Sequence, residues 1–263
     1  MTQPPRTLPP ANSSDTYDAR LYALLHRGNA GDVEFYMQNC RNAGEVLELG
    51  VGFGRVASQL VAAGIPVTGV DTHAGLLALA VLHASAYPDA ARFDAHLGDM
   101  RSFELGRKFD RIVIPYSGLF CLLDAAGVQA CLTRCREHLT PAGRLLFDVY
   151  EADSFHGACE PHDFDEAERE PVVELMDGAV RMVVFEHSTW DKPAQRLEIS
   201  YEYFDARQKL VHTSVVRQRY WLLRQFAPIL SEAGLCVERL HGGFADEPPG
   251  PDAAVIVVEA RCV

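Results

Sequence analysis

Apolar positions follow two different periods along the chain, and the change from one to the other divides it. From Tyr17 to Gln38 a helical period is interrupted at Arg27-Gly28-Asn29-Ala30-Gly31, which predicts helix, loop, helix. From Glu45 onward, short apolar runs alternate with longer helical ones. Glu45–Leu49, Pro66–Val70, Phe93–Leu97, Arg111–Pro115 and Arg144–Val149 read as strands, the last entered through Pro141-Ala142-Gly143. Arg55–Ala63, His73–Ala86 and Ala125–Leu139 read as the helices between them. Short strands separated by helices of this length predict βαβ units and a parallel sheet covered on both faces.

Further on the period drops to two. Leu197, Ile199, Tyr201 and Tyr203 alternate with more polar neighbours, which predicts a half-buried antiparallel strand. Val180–Glu186 and Thr213–Arg219 read as its partners, across turns at Asp191-Lys192-Pro193 and Asp205-Ala206. Leu222–Ala233 returns to helix and stops at Gly234, and Leu235–Leu240 and Ala254–Ala260 read as closing strands. The expected fold class is α/β: a doubly wound, Rossmann-like, mostly parallel seven-stranded sheet with an antiparallel β insertion before the last helix. The expected division is a Pro-rich disordered tail over 1–15, cap helices and an α/β core over 16–150, and a lid loop with the insertion over 151–221. Residues 222–263 then supply the last helix and the closing strands.

Composition narrows the function. Of 263 residues, 24 are Lys or Arg and 36 are Asp or Glu, a net charge of −12 with no basic run. That argues against nucleic acid as a partner, since such binding is driven by neutralising phosphates. The apolar runs, such as Val255–Val258, are far too short for a bilayer, so no membrane partner is expected. Seven cysteines without a Cys-x-x-Cys pair fit a reducing, cytoplasmic setting, with Cys131 and Cys135 as buried helix side chains. No His, Cys, Asp or Glu cluster has metal spacing, and His156 and His162 read as part of a solvated or lid loop around Glu160–Glu170. The antiparallel insertion could pair two copies into a homodimer, although nothing in the sequence requires it.

The chemistry points to the first strand–helix junction, Glu48-Leu49-Gly50-Val51-Gly52-Phe53-Gly54-Arg55. Glycines there allow a tight turn and close approach of a ligand to the backbone. Asp71 ends the second strand, where a carboxylate can accept both hydroxyls of a ribose. Asp99 follows the third strand and can accept from an adenine amino group. Gly52-x-Gly54-x-x-Ala57 also meets the looser dinucleotide pattern, so the glycines alone leave a nicotinamide-dependent oxidoreductase open.

Val46-Leu47-Glu48-Leu49-Gly50-Val51-Gly52-Phe53-Gly54 resembles the first motif of class I S-adenosylmethionine-dependent methyltransferases. Gly98-Asp99-Met100, Phe109–Ile114 and Leu139-Thr140-Pro141-Ala142-Gly143-Arg144 resemble their later motifs, with Ala142 standing where Gly is usual. The stretch Gly98–Phe109, and Glu232–Glu238 with Gly242-Gly243-Phe244 behind it, are similar to small-molecule N-methyltransferases acting on amino sugars. The resemblance implies S-adenosylmethionine as cofactor, with S-adenosylhomocysteine as product. It places the cofactor against Tyr17, Arg27, Glu48, Gly50, Gly52, Gly54, Asp71, Thr72, Asp99, Met100 and Pro115; the Arg27 fork of donors either meets the cofactor's carboxylate or is an exposed surface group.

The implied reaction is methyl transfer to a small metabolite or natural-product intermediate, with nitrogen favoured over oxygen or carbon as the acceptor. An in-line displacement from a sulfonium needs positioning and exclusion of water rather than a metal. His26, Tyr22 and Tyr116 are the candidate catalytic residues: His26 as a base, Tyr22 as a ring near the sulfonium, Tyr116 at the fourth strand's end. Tyr201, Tyr203, Arg219 and Trp221 are either walls of the acceptor pocket or ordinary sheet packing. An O- or C-methyltransferase using a His base, and a non-catalytic cofactor-binding protein, are the remaining alternatives.

Overall fold

Glycine turns and apolar strands set the architecture. The computed structural model describes residues 18–89, 92–161, 170–245, 247–250 and 253–263. The tail over 1–15, Tyr17 and His162 lie outside these residues. Two short helices, α1 (Ala19–Leu25) and α2 (Asp32–Cys40), precede strand β1 (Val46–Leu49). All four β1 residues are buried, as expected of a central parallel strand covered on both faces. The chain continues through α3 (Arg55–Ala62), β2 (Val67–Asp71), α4 (Ala74–Ala84), β3 (Phe93–Leu97) and β4 (Phe109–Ile114). A 3-10 turn at Gly118–Cys121 leads to α5 (Ala125–His138) and β5 (Leu139–Tyr150).

A short helix α6 (Asp153–Ala158) precedes β6 (Glu170–Asp177), β7 (Val180–Asp191), β8 (Arg196–Asp205) and β9 (Leu210–Arg219). These four strands form an antiparallel sheet in sequential order. Helix α7 (Leu223–Glu232), β10 (Leu235–His241) and β11 (Val255–Cys262) complete the main sheet. Its order is β10-β11-β5-β4-β1-β2-β3, and β11 alone runs against the others, being antiparallel to both β5 and β10. The fold is thus the expected doubly wound sheet with an antiparallel insertion before the last helix.

Alternating residues of the central strands feed two apolar layers. Leu47, Leu49, Ile112, Ile114, Leu145 and Phe147 pack on the α5–α7 side. Val46, Val67, Val113, Leu146 and Val257 pack on the side of α2, α3 and α4. A third cluster joins the insertion to the start of the chain: Leu175, Met182, Val184, Tyr201 and Tyr203 meet Leu21, Leu24 and Leu25 of α1. Helix α1 is therefore held between the insertion sheet and α4, above the C-terminal ends of β1 and β2.

Several local expectations change. β5 begins at Leu139 and runs through Pro141-Ala142-Gly143 without a separate approach loop. Neither α6 nor β6 is visible in the pattern. β6 is an edge strand with most of its side chains outward and only Leu175 fully covered, so no apolar alternation marks it. His156 is not on a solvated loop: it lies on α6, 2.7 Å from the Tyr220 hydroxyl and beside the Trp190 ring. Trp221 and Tyr203 are buried packing residues, not pocket walls, and the Arg219 guanidinium lies 4.1 Å over the Trp221 ring.

Gly54 opens α3 in the left-handed region, at φ +78°, and a Cβ there would come within 2.9 Å of the Ala80 backbone on α4. Gly54→Ala is expected to cost about 2 kcal/mol or more in urea denaturation, from backbone strain plus a forced separation of α3 and α4. Gly157→Ala, in α6 with open space around it, is expected to be neutral or slightly stabilising in the same experiment.

Candidate active site

The strand order reverses direction at β1, whose neighbours are β2 on one side and β4 on the other. Open α/β sheets hold ligands in the crevice outside the carboxyl ends of the strands at such a point. A crevice lies there, lined by Gly50, Val51, Gly52, Asp71, Thr72, Asp99, Met100, Pro115 and Tyr116, with Tyr22 and His26 closing it from α1. The glycine turn, the second-strand acid and the third-strand acid thus converge as the sequence implied.

The turn is held open by backbone geometry. Gly50 and Gly52 both have positive φ, +68° and +56°. A Cβ added to Gly52 would meet only the Gly50 carbonyl oxygen, at 3.9 Å, so the backbone here faces free space that a ligand can enter. The Asp71 carboxylate ties the turn to β2: it accepts from Gly52 N–H and from His73 N–H, each at 2.8 Å. Burial raises the Asp71 carboxyl, and these backbone donors hold it down. Each of its oxygens has a second lone pair, so the carboxylate has acceptor capacity for a pair of hydroxyls.

Beneath the turn lies a group of buried charges. Glu48 points from β1 to the α2–α3 side, accepts from Ala57 N–H, and leaves Oε2 buried with no partner. Burial pushes its carboxyl up to about 8, against the pull of Arg55. The Arg55 guanidinium donates to both Asp32 oxygens, at 2.6 and 2.7 Å, and lies under Gly28, where any Cβ would collide with it. Asp148, from β5, is fully buried and pushed up to about 6, again by burial first.

Asp148 shapes the fourth-strand end. Its Oδ1 accepts from the Tyr36 hydroxyl at 2.6 Å and from Tyr116 N–H at 2.9 Å, and its carbonyl accepts from Ser117 N–H at 3.1 Å. Tyr116 and Ser117 both have positive φ, +55° and +56°. Two consecutive non-glycine residues in this region cost on the order of 1–3 kcal/mol each and persist only where surrounding contacts impose them. Here Asp148 does so, and the strained turn presents the Tyr116 ring to the crevice.

An aromatic enclosure stands at that end. The His26 ring lies 4.2 Å from Tyr22, 6.2 Å from Tyr116 and 5.4 Å from Tyr201 between ring centroids. Burial lowers His26 to about 4, so it is a neutral imidazole at physiological pH. The third-strand acid is differently occupied: both Asp99 oxygens accept from the Arg101 side chain and one also accepts from its N–H, and these hold its carboxyl down.

Two expected cofactor residues do not reach the crevice. Arg27 donates to the Leu24 carbonyl at 3.0 Å on the exposed side of α1, because the chain turns outward after the helix cap. Arg55 is the guanidinium at the site, and only its place one residue beyond the last glycine could have marked it. Gly54 faces Ala80 instead of the crevice, so its glycine identity serves helix packing. Among the described residues there is no His, Cys, Asp or Glu group able to hold a metal ion, and no helix is long and apolar enough to cross a membrane.

The residues present suit S-adenosylmethionine. The glycine cradle admits a ligand against the backbone, Asp71 offers acceptors for a ribose, and the unpartnered Glu48 oxygen with its acidic neighbours favours a cationic group nearby. Bound there, S-adenosylmethionine would supply a methyl group already activated on sulfur.

Comparison with known proteins agrees. Residues 46–143 match the "Methyltransferase domain" family model. The chain is 26% identical, over 86% of its length and 86% of the relative's, to dTDP-3-amino-3,6-dideoxy-alpha-D-glucopyranose N,N-dimethyltransferase of Streptomyces fradiae. It is 29% identical over 59% of its length and 61% of the relative's to dTDP-3-amino-3,4,6-trideoxy-alpha-D-glucopyranose N,N-dimethyltransferase of Streptomyces venezuelae. In fold it is similar to the CcbJ methyltransferase from Streptomyces caelestis, with a TM-score of 0.80 at 22% identity, covering 96% of this chain and 99% of that one. The sugar N-methyltransferase KedS8 from Streptoalloteichus shares the fold over 100% of this chain and 99% of its own, with a TM-score of 0.71 at 18% identity. With a methyltransferase domain over residues 46–143 and these relatives, the chain is an S-adenosylmethionine-dependent methyltransferase that resembles the amino-sugar N-methyltransferases.

Proposed function

We propose that the enzyme methylates an amine nitrogen on a small sugar-containing metabolite. The observation that carries this reading is the enclosure of Tyr22, His26, Tyr116 and Tyr201 at the fourth-strand end, whose rings surround an imidazole that is neutral at physiological pH. A hydroxyl or carbon acceptor needs a group that removes a proton of high pKa, and an imidazole lowered to about 4 is poorly matched to that task. An amine needs only to be neutral when it attacks, which a desolvated site favours. The two relatives whose names state dTDP-amino-sugar N,N-dimethylation support the acceptor class.

In this reading each side chain has a defined task. Asp71 holds the ribose and the glycine turn together, Asp99 and Met100 border the adenine, and Pro115 and Thr72 close the sides. Arg55, fixed by Asp32, faces the cofactor's carboxylate, and the Glu48 carboxylate faces its ammonium. Asp148 fixes Tyr116, and His26 accepts a hydrogen bond from the acceptor. Incubation with S-adenosylmethionine and dTDP-3-amino-3,6-dideoxyglucose, followed by mass spectrometry, tests the acceptor class. Addition of one or two methyl groups supports it. Methylation confined to an amine-free sugar analogue contradicts it.

His26→Asn is expected to reduce turnover by less than about tenfold, whereas a loss of roughly a thousandfold would restore a general-base role. Glu48 provides a pH signature. Its carboxyl is raised in the folded protein, so its protonated form stabilises the fold at low pH. That contribution declines as the pH rises from its ordinary range through about 8. A ligand ammonium beside it favours the ionised form. S-adenosylhomocysteine is therefore expected to bind with proton release, and more tightly as the pH rises toward about 8. Calorimetry in buffers of different ionisation enthalpy measures both effects, and Glu48→Gln is expected to abolish them. A pH-independent affinity in the parent enzyme would contradict this assignment of Glu48.

A further inference from the structure

The insertion sheet places beside the aromatic enclosure an acidic side chain that the cofactor site leaves unused. Glu186 on β7 lies directly opposite Tyr201 on β8. The pair shares the sheet face that also carries the buried Val184 and Tyr203 and packs against α1. The Tyr201 hydroxyl donates to the Glu186 carboxylate, and the Tyr201 ring stands 5.4 Å from His26. The Glu186 charge also reaches the Tyr116 phenol and helps hold it above its ordinary range. Glu186 is thus in electrostatic contact with two rings of the enclosure.

It has no counter-charge there. Among the described residues no Lys, Arg or His forms an ion pair with it. The guanidinium that borders the enclosure, Arg55 at 5.8 Å from the Tyr116 centroid, is committed to Asp32 by two hydrogen bonds. His26 is neutral at physiological pH. A half-buried carboxylate with one hydroxyl donor is incompletely compensated, and burial raises it. Tyr faces add quadrupole attraction for a cation placed among them where water is excluded.

We propose that Glu186 is the acceptor-recognition residue. With the rings of Tyr22, Tyr116 and Tyr201 it forms a cation box that binds the aliphatic amine as its ammonium ion. It takes one proton from that ion so that the neutral nitrogen attacks and, once that proton has passed to solvent, faces the methylated ammonium that is the product. The inference rests on the methyltransferase reading and narrows it. A neutral alcohol or carbon acceptor brings no charge to match the carboxylate, whereas substrate and product amines both do.

Sinefungin tests this without knowledge of the acceptor, because it carries an amine where S-adenosylmethionine carries its transferable methyl group. Its ammonium therefore enters the box, and S-adenosylhomocysteine, lacking it, does not. Glu186→Gln is expected to weaken sinefungin about tenfold by calorimetry while changing S-adenosylhomocysteine less than about twofold. Glu186→Asp, which keeps the charge but withdraws it by one methylene, is expected to fall between. It decides the matter if the Gln variant fails to bind S-adenosylhomocysteine and is therefore misfolded. Equal sinefungin affinity in the parent and in a variant that still binds S-adenosylhomocysteine would overturn the role of Glu186. Failure of the parent enzyme to bind S-adenosylhomocysteine would instead overturn the methyltransferase reading.

Discussion

Three buried carboxylates, Asp32, Glu48 and Asp148, share the field of one guanidinium, that of Arg55. Their charges cannot all be balanced inside the protein. Asp32 takes the ion pair, and burial raises Glu48 to about 8 and Asp148 to about 6. At neutral pH Glu48 must take up a proton on folding, which costs about 3 kcal/mol of the stability it contributes at low pH. A fold selected for stability alone would place apolar groups here. The arrangement makes sense as a preorganised acidic floor whose missing positive charge comes with the ligand.

Everything above that floor is positioned by it or by the same strands. Asp148 imposes the left-handed Tyr116–Ser117 turn, and Tyr36 from α2 donates to the same Oδ1, leaving Oδ2 buried without a partner. Asp71 fixes the glycine turn from the neighbouring strand. Helix α1 and the insertion sheet then form one apolar unit that carries His26, Tyr22 and Tyr201 over the crevice. The glycine-turn side of the crevice is thus built by the parallel sheet, and the aromatic side by segments that precede and interrupt it.

That division explains what the sequence disclosed. Strand ends in a doubly wound sheet converge by topology, so Gly50, Gly52, Asp71 and Asp99 could be brought together from their order along the chain alone. Gly54 belonged to the same motif but answers to Ala80 across a helix contact, which no local pattern records. Arg27 and Arg55 were both charged residues beside glycines, and only the direction of the chain after α1 separates them. Alternation along β8 identified Tyr201 as an inward residue, but Glu186 became its neighbour only through the β7–β8 register. β6 stayed hidden because an edge strand with outward side chains lacks a period to read.

Titration of the enzyme with S-adenosylhomocysteine and, separately, with NADH tests the central claim most directly, the Asp71→Ala variant being measured alongside. Saturable binding of S-adenosylhomocysteine, no binding of NADH, and affinity about 100-fold weaker in Asp71→Ala are the expected results, since two hydrogen bonds to a charged acceptor are lost. Binding of NADH, or an Asp71→Ala affinity equal to the parent's, would contradict a cofactor site built on the glycine turn and the second-strand acid.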